Sequence, residues 1–439
     1  SYGGRYYMEA NFGYNGSENF AKGHRFGFFP SIAIGYNISN EKFWESIRPV
    51  VSNLKIRGSW GLVGNDATNA GRFAYMEDIV LGGSDSYTTG IRQDTYYSGP
   101  SWNRYYNPDL TWEVGEKINL GVDLQLFNNF NLTFDIFKEK RRDIFMTREN
   151  SIPEIVGTGK TKITSNNGEM ENKGFDLAID YNKQITKDFF LSFKSTLTFA
   201  RNKVLKMDEP PYFEYPGLSD VGHPLGTYWG YVADGLFPDQ ETIDNSPRQD
   251  LGYTPQPGDI KYVNQPNAKG EYDNVINSND RVAIGHPYDP ELVYGFGPSM
   301  KWKNWDFSFF FQGVARTSFM MYGMHPFGTT SIKNMLQFVA DDHWSVDNPN
   351  PNATYPRLTK DNNGNNDQYS TYWLRNAAFL KLKNAEIGYT YKGMRFYLSG
   401  VNLLTFSPFK HWDPEMGGGN GLYYPTQRVF NIGFQMTIQ

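Results

Sequence analysis

Residues able to do acid–base, nucleophilic or metal chemistry are present in this sequence but scattered. Six histidines, His24, His223, His286, His325, His343 and His411, show no HExxH motif and no paired spacing for a metal. Gly157-Thr158-Gly159-Lys160-Thr161 ends like a phosphate-binding loop, but Glu154 stands where the first glycine of GxxxxGK[ST] belongs. It reads as a loop tip. Neither a GxSxG elbow nor a GxGxxG turn occurs. Cysteine is absent, which removes disulfides, thiolate zinc sites and a cysteine nucleophile together. Loop acids such as Asp341-Asp342, Asp413 and Glu415 could supply a glycosidase pair, but solvated carboxylates are the ordinary reading. The stretch from Glu271 to Asp280 resembles the later half of a calcium loop, with Asn274 at its glycine position. Lys269 falls on position one of that loop, and a lysine cannot ligate calcium. A solvated turn is the expectation, and a divalent cation near Asp273 and Asp280 is the alternative. No catalytic residue, metal or cofactor is expected.

Recognition by aromatic rings is what remains. The chain carries 30 Tyr, 33 Phe and 10 Trp, and many lie in segments without periodicity. Trp102, Tyr105 and Tyr106 fall within five residues and could line one subsite; Trp229 is a further candidate. Flat rings suit the apolar faces of sugars, whose hydroxyls need the amide and carboxylate partners that Asn and Asp supply. Tyr96, Tyr97, Tyr228, Tyr322 and Trp344 belong to the same loop population. Packing within a loop, or a place in a protein interface, is the competing role for each ring.

These rings must be positioned by strands. In 439 residues the aromatic share is 17%, yet mean hydropathy is −0.59 and no run of about 18 apolar residues occurs, which excludes a helical membrane protein. A net charge of −5 leaves no basic footprint for nucleic acid. Apolar and polar residues alternate with period two in about twelve segments. The clearest are Phe175–Tyr181, Phe189–Ala200, Trp305–Phe311 and Phe430–Ile438. Similar segments lie at Arg5–Gly13, Phe29–Ile38, Leu54–Gly64, Trp112–Leu124, Asn131–Phe137, Val293–Trp302, Leu380–Tyr391 and Arg395–Leu404. At roughly ten residues each, they are long enough to cross a bilayer at a tilt.

Loop lengths sort by parity. Tight links follow the fourth, sixth, eighth and tenth strands, at Asn128-Asn129, Gln184–Lys187, Lys303-Asn304 and Lys392-Gly393. A longer link after the second strand contains Glu41-Lys42-Phe43-Trp44, which reads as a short helix. Long connections follow the odd strands, at Asn65–Leu110, Thr147–Gly168, Asn202–Glu291, Ala315–Asn376 and Ser407–Thr426. All long loops then emerge on one side, as in an outer-membrane barrel with short periplasmic turns. A soluble sandwich or propeller has no reason to sort its loops this way, and no internal repeat occurs. The fold expected is an all-β, antiparallel transmembrane barrel wall with both termini on the periplasmic side. Phe193, Phe199, Phe307, Phe309 and Phe434 should face lipid. Asp176, Asp180, Thr196, Asp306, Gln312, Asn431 and Gln435 should face the lumen.

Several segments, in order, resemble the SusC/RagA family of TonB-dependent outer-membrane transporters. Asn15-Gly16-Ser17-Glu18-Asn19-Phe20 is similar to a DGSSRF-like loop and Phe28-Phe29-Pro30-Ser31 to a YFPS element. Leu54-Lys55-Ile56-Arg57-Gly58-Ser59-Trp60-Gly61 resembles the LKLRASYG strand, and Asn107-Pro108-Asp109-Leu110-Thr111-Trp112-Glu113 the NPDLKWE entry. Gly230 to Phe237, Gly258-Asp259-Ile260-Lys261-Tyr262, Trp373-Leu374-Arg375 through Gly388-Tyr389, and Asp413-Pro414-Glu415 follow in the family's order. The family's DxNGDG turn is interrupted here by Pro266–Tyr272, and Thr437-Ile438-Gln439 replaces a terminal aromatic. The resemblance implies residues 1–439 as the C-terminal part of a 22-stranded plugged barrel. It implies that a signal, a TonB-contacting segment, a plug and about ten strands lie upstream; the opening Ser1-Tyr2, without a start Met, agrees. It implies import of a large nutrient through the TonB complex, with a SusD-like lipoprotein lid and oligosaccharide cargo. Peptide is the alternative cargo. A secreted carbohydrate-binding β-protein and a barrel for adhesion or siderophore uptake are the rival readings.

Overall fold

The computed structural model describes residues 1–67, 71–82, 86–148, 150–153, 155, 163–324, 335–360 and 363–436. Twelve strands form one sheet: β1 (Tyr6–Gly16), β2 (Phe26–Asn37), β3 (Val51–Asn65), β4 (Glu113–Leu126), β5 (Phe130–Arg148), β6 (Ile163–Thr186), β7 (Phe189–Lys206), β8 (Leu292–Trp302), β9 (Trp305–Ala315), β10 (Phe379–Tyr391), β11 (Met394–Phe406) and β12 (Val429–Met436). Each is antiparallel to the next in sequence, so the sheet is an up-and-down wall without crossovers. Among the described residues β1 and β12 lie at its two ends and do not pair with each other.

The register sorts side chains onto two faces, because directly opposed residues share a face. Phe199 opposes Phe175 and Leu292, Phe193 opposes Tyr181 and Pro298, and Phe307 opposes Met300 and Ile387. Phe434 opposes Phe396, and on β1 and β2 Met8 opposes Ile34. The expected lipid-facing phenylalanines therefore share one apolar face. On β6 this face runs Tyr181, Ile179, Leu177, Phe175 and is bounded by Lys183 and Lys173, ten positions apart. At about 3.3 Å per residue and a strand tilt of about 40°, that spans about 25 Å, the height of a barrel's lipid band.

The other face is polar. Asp180 opposes Lys194, Asp176 opposes Thr198, Thr196 opposes Gly295, Gln312 opposes Lys381, and Gln435 opposes Arg395. Two arginine clusters stud it. Arg57 on β3 grips Asp135 with both terminal nitrogens at 2.7 and 2.6 Å and reaches Asp123 through Nε at 3.2 Å. Arg395 on β11 holds Asp306 through Nε and one terminal nitrogen, and that same nitrogen reaches Glu386. Each cluster sits over a glycine: a Cβ on Gly121 would meet Arg57 and Asp135 at 2.6 Å, and one on Gly388 would meet Arg395 and Asp306 at 2.6 Å.

The tight turns fall where the chain can supply positive φ. Lys392 and Gly393 have φ of 46° and 81°, both positive as a type I′ hairpin turn requires. Aromatic rings gather at that end of the wall: Tyr6 stacks on Tyr36 at 5.0 Å, Trp305 packs on Tyr389 at 4.8 Å, and Lys303 and Lys392 lie over Trp302 and Tyr391. This is an interfacial belt, where amphipathic rings meet headgroups. The link after β2 holds two 3-10 turns, Ile38–Asn40 and Lys42–Trp44, where a short helix is expected from sequence.

Strands β5 and β6 run past the lipid band, so the connection expected at Thr147–Gly168 is partly strand. Their extensions carry cross-strand ion pairs, Lys138–Glu171 at 2.6 Å and Lys140–Glu169 at 3.1 Å, with Arg141 bridging Glu113 and Glu139. The buried core lies above the wall, in the long connections. Tyr231, Leu236, Ile260 and Tyr262 from the β7–β8 connection pack with Phe319, Val339, Trp344 and Trp373 from β9–β10 and Phe409 from β11–β12. A smaller core joins Phe20, Phe29, Ala74, Leu110 and Trp112 under the β3–β4 connection.

Candidate ligand-binding surface

The β3–β4 connection folds as two hairpins, Asp78–Val80 with Ser101–Arg104 and Ser86–Thr89 with Thr95–Ser98. Its base is fixed by the Asn107–Trp112 segment. Asn107 donates through Nδ2 to the Thr164 carbonyl at 2.6 Å, the Thr111 amide donates to Asn166, and Leu110 and Trp112 enter the small core. The residues just before this anchor are thereby held at the top of the wall. Trp102 stacks on Tyr105 with centroids 6.3 Å apart and planes at 17°. Tyr106 projects its ring into solvent, and Tyr87 stacks on Tyr97 at 5.2 Å in the neighbouring hairpin. Asn103, the residue after Trp102 in its strand, donates to Asp78 at 3.3 Å, so the same hairpin carries amide and carboxylate groups.

The structure brings Trp102 and Tyr105 together with Tyr106 next in chain, but Trp229 stands on the β7–β8 connection. There its indole N–H donates to Asp220 Oδ1 at 2.6 Å and its ring meets the edge of His223 at 5.1 Å. Trp344, expected among the loop-surface rings, is buried in the large core. It lies where a Cβ on Gly258 would be, at 2.2 Å, so only glycine fits beneath it. Sequence reasoning missed three tyrosines, Tyr288, Tyr369 and Tyr423, that gather with Tyr228 and Tyr322; their spacing along the chain carries no signal.

The motif residues prove to be the joints of the cap. Asp259 is fully buried and accepts hydrogen bonds from Arg357 at 2.8 Å, Asn363 at 2.9 Å, Asn366 at 2.9 Å and the Gln256 amide at 2.9 Å. Such a carboxylate is tolerable inside only because donors surround it. Lys381 on β10 is likewise buried and binds Asp413 at 2.7 Å and Glu415, so Asp413-Pro414-Glu415 ties the last connection to the wall. Burial raises the Asp413 carboxyl, but Lys381, the Thr426 hydroxyl and the Glu415 amide outweigh that and hold it below its ordinary value.

Asp280 explains the calcium-like stretch. Its carboxylate accepts from the Gln265 amide at 2.7 Å and the Asn277 amide at 2.8 Å, closing a capping box on the turn Ser278–Asp280. Burial raises its carboxyl above the ordinary value against those bonds. Asp273 accepts from the Val275 amide, and Asn274 has a φ of 57°, the conformation expected at its position. Among the described residues no group of three or more His, Asp or Glu is placed to hold a metal ion. His325, the Gly157–Thr161 tip and Thr437–Gln439 lie outside the described residues.

The sequence profile described as TonB dependent receptor-like, beta-barrel matches residues 1–403. The chain belongs to the TonB-dependent receptor-like β-barrel family. It is similar to TonB-dependent receptor SusC of Bacteroides thetaiotaomicron, 28% identical with 98% of this chain and 42% of the relative covered. It is also similar to TonB-dependent receptor P3 of Formosa agariphila, 26% identical with 96% and 43% covered. The chain thus spans about two-fifths of the length of these curated relatives. Among solved structures, the RagAB peptide transporter superposes with a TM-score of 0.73 at 21% identity, over 98% of this chain and 46% of that one. The RagAB peptide importer in its open-open state gives 0.75 at 21% identity, over 99% and 45%. These likenesses bear out the fold: a TonB-dependent barrel wall of SusC/RagA type, an outer-membrane protein that crosses with strands. Among the described residues no helix is long and apolar enough to span a membrane.

Proposed function

We propose that this chain is the C-terminal barrel wall and cell-surface cap of a TonB-dependent importer. Its cargo in this reading is an oligosaccharide too large for a porin, taken up beneath a SusD-like lipoprotein lid. The remaining strands, a plug and a TonB-contacting segment belong to the rest of the same polypeptide. Two unpaired sheet edges cannot stand in a bilayer, so β1 and β12 pair with that remainder. The observation that carries the cargo assignment is the stacked Trp102–Tyr105 pair with Tyr106 beside it, held at the top of a polar-lined wall. Trp229 supplies a second contact from the β7–β8 connection.

A peptide importer is the second reading, favoured by the structures named as RagAB peptide transporters. Calorimetry of the intact transporter–lid complex against glycans and peptides separates the two. Glycan binding lost in Trp102→Ala with Tyr105→Ala is the expected result. Peptide binding without glycan binding, or glycan affinity unchanged in that double variant, contradicts it. Co-purification of a lipoprotein with the full-length transporter tests the lid.

A further inference from the structure

We propose that Tyr228, Tyr288, Tyr322, Tyr369 and Tyr423 form a second carbohydrate subsite, selective for uncharged sugar residues. The assignment rests on the importer reading and deepens it. The five rings come from distant segments that the cap brings to one place. Tyr228 begins the short strand Tyr228–Gly230, which pairs with Val282–Ile284, and Tyr288 follows that partner strand. The Thr317 hydroxyl fixes Tyr288 by donating to its carbonyl at 2.7 Å. The Tyr322 amide donates to the Gly419 carbonyl at 3.0 Å, and the Tyr369 carbonyl accepts from the Tyr231 amide at 2.9 Å.

Tyr322 and Tyr369 face each other with centroids 6.5 Å apart and planes at 38°. Tyr423 closes the group across a glycine turn. A Cβ on Gly419 would lie 3.4 Å from the Tyr423 ring and 3.8 Å from Tyr322, and one on Gly417 would lie 3.7 Å from the Tyr288 hydroxyl. Gly417 and Gly419 have φ of 78° and 94°, so the turn needs glycine for its backbone as well as for the approach of the rings.

These tyrosines differ from those of the core. Tyr262 is fully buried and its hydroxyl is spent on the Asn365 carbonyl. Tyr288, Tyr322, Tyr369 and Tyr423 are 57%, 51%, 47% and 56% exposed, so their rings contribute little to holding the cap. Their chemistry is also uncharged. Burial pushes the Tyr228 hydroxyl up to about 12, with Tyr288, Tyr369 and Tyr322 adding to the effect and the Met320 backbone opposing it. The Tyr322 hydroxyl is raised by its hydrogen bond to Tyr423, then by the charge of that phenol, by burial, and by Tyr369 and Tyr288. Among the described residues no hydrogen bond, ion pair or cation–π contact joins a charged side chain to any of the five rings. A uronate or a peptide terminus would shed water here without an ionic partner. A neutral pyranose presents C–H groups to the rings and hydroxyls to the phenols.

The test uses the full-length transporter with its lid, and calorimetry against neutral hexasaccharides (xylohexaose, mannohexaose, glucohexaose) and acidic ones (hexagalacturonate, hexamannuronate). A neutral probe should bind more tightly than any acidic one. Tyr322→Ala with Tyr369→Ala should weaken it about tenfold, as expected for two lost ring contacts. The matching Phe variants, which keep the rings, should recover most of the affinity, and heat-modifiable migration of each variant confirms a closed barrel. Affinity unchanged in the Ala pair while Trp102→Ala with Tyr105→Ala abolishes binding overturns this subsite and leaves the importer reading standing. Preference for an acidic probe also overturns it. Peptide binding with no glycan binding removes both.

Discussion

The wall and the cap of this molecule solve opposite solvent problems with the same residue types. In the wall, apolar side chains point outward: Ile432 is 90% exposed and Phe12 is 77% exposed. A soluble protein rarely tolerates a contiguous apolar patch beyond a few hundred Å², whereas lipid requires one. In the cap the rule reverses, with Ile260 at 0% and the charged Asp259 drawn inside among donors, and where cap meets wall Lys381 of β10 is buried against Asp413 and Glu415. The wall stands on backbone ladders and a lipid band. The cap stands on a few buried polar joints, so damage to the two should look different.

Breaking a cap joint should have the largest effect. Lys381→Met leaves Asp413 without its cation and Glu415 with Lys383 alone, and should cost about 3–5 kcal/mol, the usual penalty for removing one partner of a buried pair. Proteolysis of the β11–β12 connection should accelerate while the barrel keeps its heat-modifiable migration. Loss of both together would mean that wall and cap are one cooperative unit. Next comes the wall itself. Leu197→Arg on the apolar face should destabilise by about 2–4 kcal/mol, whereas Thr196→Arg, one residue away on the polar face, should be milder. Urea unfolding in lipid vesicles measures both, and equal penalties would refute the two-faced wall.

Gly258→Ala sharpens the comparison within the cap. Gly258 has φ of 89° and lies against Trp344, so added volume should cost about 1–3 kcal/mol. Near-ultraviolet circular dichroism should show the tryptophan disturbed while strand content is unchanged. The smallest effect expected is with pH. The Asp413 carboxyl is held below its ordinary value, so its contribution is complete above the unfolded-chain value and fades as pH falls through the folded one. Asp280 is raised, so its contribution runs the other way and weakens as pH rises through its folded value. Hydrogen-exchange protection of the β11–β12 connection should therefore fall on acidification, while protection around Asp280 holds or rises.

Legibility followed the same division. The wall could be read because period-two alternation is local: Phe193, Leu197 and Phe199 against Lys194, Thr196 and Thr198 announce both faces of β7. Reading stopped where both faces became charged, at Lys138–Arg142 and Glu169–Lys173, although ion pairs continue the ladder there. The cap resisted because its contacts join distant segments, as when Asp259 receives Asn363 and Asn366. For the same reason Trp344 looked like a surface ring, and the five tyrosines looked unrelated. Trp102 with Tyr105 was legible because a hairpin end and its anchor keep near neighbours near.

Cysteine labelling in living cells tests most directly whether this wall crosses the outer membrane with its cap outside. The stretch contains no cysteine, so each introduced thiol in it is unique. Single cysteines at Tyr106 and Tyr423 in the cap should react with an impermeant maleimide on intact cells, and those at Asn128 and Lys392 in the tight turns only after the outer membrane is opened. Spin labels at Leu197 and Phe307 should report contact with lipid-soluble oxygen, and one at Thr196 contact with water. Labelling of the tight turns on intact cells, or a water-exposed Leu197 beside a lipid-exposed Thr196, would contradict the account.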